Sequence, residues 1–91
     1  GKTVLPGLID MHVHLQFDPG GDFRDEAVIS DDYLMMVGAK NAALTVKAGF
    51  TTVRDLGSTR LGGFALRDAT AKGLVYGPRI LASGPAISIV G

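Results

Sequence analysis

Leu8-Ile9-Asp10-Met11-His12-Val13-His14-Leu15 is the stretch that decides the fold. Leu8, Asp10, His12 and His14 fall on one face and Ile9, Met11, Val13 and Leu15 on the other, which is the two-residue period of a β-strand. The apolar face of that strand must be covered by something large. Val4-Leu5-Pro6-Gly7 leads into it as a turn, because Pro presets its own φ and Gly tolerates positive φ.

Beyond the strand, residues 16–29 include Asp18-Pro19-Gly20-Gly21-Asp22 and show no usable periodicity, so they read as a long loop. Ser30 then offers an N-cap, with Asp31 and Asp32 where a helix dipole favours negative charge. The spacing of Leu34, Val37, Ala42 and Val46 predicts a helix from Asp31 to Ala48, stopped by Gly49. Met35 and Met36 fall in that helix as core filling. Phe50-Thr51-Thr52-Val53-Arg54-Asp55-Leu56 is rich in β-branched and aromatic residues and reads as a second strand. Leu61 to Lys72, with Phe64, Ala65, Leu66 and Ala69, reads as a second helix ending at Gly73. Gly77-Pro78 precedes a short third strand over Arg79-Ile80-Leu81-Ala82-Ser83-Gly84, and the stretch after Pro85 is either strand or loop.

The order strand, helix, strand, helix, strand implies parallel pairing through right-handed crossovers, an α/β fold. Three parallel strands alone leave both edges open, which suggests partner strands outside this chain. Those edges are also where self-association is expected.

Composition narrows the function. The 91 residues carry nine Lys and Arg against nine Asp and Glu, so no net charge draws the chain to nucleic acid or to an anionic membrane. There is no run of about 20 apolar residues, and the first residues do not read as a basic-then-apolar secretory signal, so an unexported chain is expected. With no Cys, thiolate ligands, disulfides and cysteine nucleophiles are all absent, which leans toward a reducing, cytoplasmic setting. The size admits one domain at most. A start on Gly1 and an apolar finish over Ile87-Ser88-Ile89-Val90-Gly91 suggest a piece of a longer protein.

The chemistry-bearing feature is the His pair. Two residues apart on a strand, His12 and His14 have Cα atoms about 6–7 Å apart and project from the same face. Both imidazoles can then reach one divalent ion such as zinc, to which an open catalytic site adds a carboxylate and a water. The competing reading of a lone His-x-His is a half-buried polar pair. The position favours ligands, because the carboxyl ends of parallel strands are where α/β folds assemble their sites.

At these residues a resemblance enters. Val4-Leu5-Pro6-Gly7-Leu8-Ile9-Asp10-Met11-His12-Val13-His14-Leu15 resembles the first-strand signature of the amidohydrolase superfamily, metal-dependent hydrolases built on a (β/α)₈ barrel. Ala48-Gly49-Phe50-Thr51-Thr52-Val53-Arg54-Asp55-Leu56-Gly57 and Gly77-Pro78-Arg79-Ile80-Leu81-Ala82-Ser83-Gly84 resemble the second and third strands of its imidazolonepropionase-like and Xaa-Pro dipeptidase-like branch. The resemblance implies that residues 1–91 are one fragment of the barrel, running β1-α1-β2-α2-β3, with Gly1-Lys2-Thr3 as the link from a small β-sandwich. It implies that His12 and His14 are ligands of the more buried metal, with Asp10 supporting them at the barrel floor. It also implies one or two divalent ions, zinc foremost, and a metal-bound hydroxide attacking an amide or peptide-type C–N bond of a small-molecule or peptide-like substrate. The family's remaining ligands, a carboxylated Lys or a Glu, two His and an Asp, follow later strands, so this chain alone is expected to be inactive.

Other features carry less. Arg54 and Asp55 end the second strand on the site's side, where they either meet substrate or make structural bonds at the rim, the second weighing more. Gly57-Ser58-Thr59-Arg60-Leu61-Gly62-Gly63 lies between strand and helix, as phosphate loops do, but lacks their Lys-Ser/Thr and the dinucleotide glycine spacing, so it reads as a flexible connector. Asp18, Asp22, Asp25 and Glu26 do not have calcium-loop spacing and read as solvated acids. Against the hydrolase reading stands a non-catalytic α/β module that associates through its edges and leaves the His pair empty.

Overall fold

The computed structural model describes residues 1–17, 20 and 29–89. Five elements follow one another: β1 (Leu8–Val13), α1 (Asp31–Lys47), β2 (Phe50–Asp55), α2 (Gly62–Ala71) and β3 (Arg79–Ala82). The strands form one parallel sheet in the order β1-β2-β3. β2 is therefore central and both other strands are edges. Asp18, Asp22, Asp25 and Glu26 lie outside the described residues.

The helix boundaries follow from local chemistry. Ser30 sits in extended conformation and its side chain accepts the amide of Tyr33 at 3.2 Å, capping α1, with Asp31 and Asp32 in the first turn. Beyond Lys47, Gly49 takes φ +104, a left-handed conformation in which a side chain would be strained. Gly73 ends α2 in the same way with φ +75. The buried stripe of α1 is Leu34, Gly38 and Ala42, while Val37 and Val46 are only half-buried. Met35 packs on the core as expected, but Met36 is exposed, because consecutive helix positions are about 100° apart.

The core lies between the sheet and the two helices, where Leu15, Val53, Leu66 and Ile80 pack with Val13, Met35, Phe50, Val75 and Ala82 at its margin. Among the described residues only one face of the sheet is covered. Arg54 and Leu81, which alternate with Val53 and Ile80, are exposed on the other.

β1 departs from the expected pattern. Leu8 pairs with Phe50 but Ile9 with Thr52, and Asp10 pairs with Val53 but Val13 with Asp55. One residue is thus extra on β2 at the start and one on β1 further along, so the two shifts cancel. The second shift is a bulge that interrupts strict alternation at Met11 and His12. The strand also ends at Val13 rather than Leu15, because the Leu15 amide turns to the side chain of Asp55 at 3.3 Å instead of continuing the ladder. The expected cover of the apolar face reaches Val13 and Leu15 only, as Ile9 is 61% and Met11 53% exposed. β3 likewise stops at Ala82, and residues 86–89 form no strand.

Leu66→Ala should cost about 2–5 kcal/mol of stability, since it opens a cavity against Val53 and Ile80. Ser30→Ala should cost about 1 kcal/mol by orphaning one helix amide. Chemical denaturation of the full chain measures both, and equal losses would contradict this division between core and cap.

Candidate metal centre

The carboxyl ends of the three strands are gathered by one residue. Asp55, 1% exposed, accepts the Leu15 amide on Oδ2 at 3.3 Å and the Gly57 amide on Oδ1 at 3.0 Å. Its backbone carbonyl accepts the Ser83 amide at 3.0 Å. These are the exits of β1, β2 and β3. Among the described residues Asp55 makes no ion pair, and both of its side-chain oxygens bond to backbone amides.

Arg54 makes no ion pair among the described residues either; its Nε donates to the Met11 carbonyl at 2.7 Å, within the β1 bulge. From the other side, Asp10 Oδ1 accepts the His12 amide at 3.0 Å. Asp10 therefore supports His12 through the backbone, not through its ring. The two together pin the irregular stretch that carries His12.

His12 lies in β1 and His14 immediately after it, so the expected strand position holds for the first only. The bulge and the turn at Leu15 nevertheless leave their rings side by side, with Nε2 to Nε2 at 3.3 Å. Two imidazole nitrogens bound tetrahedrally to one zinc ion at about 2.0–2.1 Å stand about 3.3–3.4 Å apart. The spacing fits shared ligation. His14 Nδ1 lies 3.2 Å from the Gly57 carbonyl oxygen. A carbonyl can only accept, so Nδ1 carries a proton, and in the neutral ring this leaves a lone pair on Nε2. His12 Nε2–H then donates to that lone pair. Among the described residues no group of three or more His, Cys, Asp or Glu side chains converges as a complete metal site.

Sequence reasoning missed Gln16, Asn41 and Gly57. Gln16, read as loop, is buried: its Oε1 accepts the Thr59 amide at 3.1 Å and its Nε2 approaches the Met35 sulfur at 3.2 Å. Asn41 Nδ2 donates to the carbonyls of Leu15 at 2.7 Å and Phe17 at 3.2 Å. Its signal was available, because a polar residue three positions after Gly38 sits beside the buried stripe of α1 and needs a partner there. The 57–63 connector is not loose either, since Gly57, Ser58 and Gly63 are buried and Ser58 bridges to Pro85.

The profile of the amidohydrolase family matches residues 3–89. The chain belongs to the amidohydrolase family. It is 43% identical over 60 residues to the dihydroorotase of Halalkalibacterium halodurans, covering 66% of this chain and 11% of that protein. It is 35% identical over 82 residues to the dihydroorotase of Geobacter sulfurreducens, covering 82% of this chain and 16% of that one. Among solved structures, an amidohydrolase superposes with TM-score 0.81 at 37% identity, over 97% of this chain and 20% of that one. A Xaa-Pro dipeptidase with bound methionine in its active site superposes with TM-score 0.76 at 37% identity, over 91% of this chain and 20% of that one. The Xaa-Pro dipeptidase likeness expected from sequence is thus joined by a dihydroorotase likeness that was not expected. The chain spans about a tenth to a fifth of these relatives, and its three parallel strands with two helices are part of the amidohydrolase barrel.

Asp55→Ala would leave the Leu15 and Gly57 amides without acceptors and should cost about 2–6 kcal/mol, roughly 1–3 for each buried donor. Asp55→Asn keeps one acceptor and should fall between Ala and wild type. Denaturation midpoints test the ordering; an Asp55→Ala protein as stable as wild type would refute the gathering role.

Proposed function

We propose that this chain is the amino-terminal segment of the catalytic barrel of a metal-dependent amidohydrolase that hydrolyses an amide or peptide-type C–N bond in a small-molecule or peptide-like substrate. The observation that carries the reading is the His pair, whose Nε2 atoms stand 3.3 Å apart at the carboxyl end of β1. Membership of the amidohydrolase family and the likeness to a Xaa-Pro dipeptidase support the reaction class.

In this reading His12 and His14 hold a divalent ion through their Nε2 atoms. Imidazole donors at tetrahedral spacing suit zinc. The chemistry such an ion supplies is Lewis acidity toward the scissile carbonyl and activation of water. This chain's own residues set the geometry. The Gly57 carbonyl holds the His14 ring, while Asp10 and Arg54 hold the two polar groups of the Met11–His12 peptide unit. Arg54 serves here by fixing the bulge through Nε.

Zinc should raise the melting temperature of the full wild-type chain, and this shift should be lost in His12→Ala and in His14→Ala. Elemental analysis after dialysis should show at least one metal equivalent fewer in each variant. Undiminished zinc content in both would exclude the pair as ligands.

A further inference from the structure

We propose that the Gly57 carbonyl is the positioning group that holds His14 in its metal-receiving tautomer, and that Gly57 is glycine because a side chain there would push this carbonyl away. The proposal rests on the reading of His12 and His14 as ligands.

The contact joins residues 43 apart in sequence, His14 Nδ1 to the Gly57 oxygen at 3.2 Å. With Nδ1–H engaged, Nε2 has only its lone pair to offer, and the ring cannot rotate without losing the bond. The carbonyl is itself held on two sides. The Gly57 amide donates to Asp55 Oδ1 at 3.0 Å, and the next amide, that of Ser58, donates to the Gly84 carbonyl at 3.0 Å. The tautomer of a residue after β1 therefore depends on a loop braced between β2 and the exit of β3.

Backbone conformation does not require glycine at position 57, because positive φ among the glycines occurs at Gly49, Gly73 and Gly84. Space does. A Cβ on residue 57 would stand 2.9 Å from the Ala86 Cβ, closer than real Cβ atoms approach, and 3.4 Å from Cε1 and Nδ1 of His14. The first contact forces a shift and the second is ordinary. Relief is shared between exposed residue 86 and the loop, and whatever part the loop takes carries the carbonyl with it. Removing the Ala86 methyl would remove the collision.

The experiment uses the full chain labelled with ¹⁵N in histidine. Long-range ¹H–¹⁵N correlation reads the His14 tautomer without metal, and chelator competition reads zinc affinity. Wild type should show His14 protonated on Nδ1. Gly57→Ala should lose that preference and bind zinc about 10–100-fold more weakly. Gly57→Ala combined with Ala86→Gly should recover both, which a general folding defect would not. An unchanged tautomer and affinity in Gly57→Ala overturns the proposal, as does wild-type His14 protonated on Nε2, a result that decides the matter even if Gly57→Ala does not fold. If zinc leaves both wild-type histidine signals untouched, the ligand reading fails instead, separately from the tautomer result.

Discussion

A buried carboxylate closes the carboxyl end of the sheet. Parallel strands end with amides that have no further strand to pair with, and at a buried end each needs an acceptor. Asp55 meets that need for Leu15 and Gly57 with its two side-chain oxygens, and for Ser83 with its backbone carbonyl. Charge-assisted bonds of this kind are stronger than neutral ones and define direction as well as distance. His14 precedes one of the tethered amides, and the Gly57 carbonyl belongs to the residue that carries the other. The His14 to Gly57 bond is thereby a consequence of the Asp55 carboxylate.

The same end explains the irregularity of β1. A regular strand would put successive amides into the ladder with β2, yet the Leu15 amide points to a side chain. The bulge between Asp10 and Val13 lets the chain leave the ladder while Val13 still packs on the core. Met11 lies in the stretch out of step with β2, and its carbonyl accepts the Arg54 side chain. Polar groups displaced by the bulge are therefore satisfied by the residues on either side of it, which is what allows the irregularity to persist.

What was legible in the sequence was what local chemistry decides. Ser30 caps α1 because its hydroxyl reaches an amide three residues on, and Gly49 and Gly73 stop helices because a single residue's φ suffices. Alternation located β1 but not its faces, which the bulge breaks, and the closeness of His12 and His14 follows from their nearness in sequence. The bulge, the buried Gln16 and the Gly57 carbonyl were not legible, since each depends on residues about 40 positions away. Gly57 illustrates the difference. A glycine after a strand suggests a turn, whereas here it answers to the Ala86 methyl, which no periodicity reveals.

The two histidines are consequently not equivalent. His14 is oriented before any ion arrives, with its proton on Nδ1 and its ring beside Phe17 at a centroid separation of 5.4 Å. His12 is exposed, its amide is held by Asp10, and its ring meets only the His14 ring among the described residues. To share an ion, His12 must move its Nε2 proton to Nδ1, while His14 changes nothing. Ordering an unrestrained side chain costs about 0.5–1.5 kcal/mol, a cost already met for His14 by the fold. As ligands in the proposed reading, the pair would combine one prearranged donor with one adaptable donor, and the adaptable one sits on the bulge, where side chains hold the Met11–His12 peptide unit.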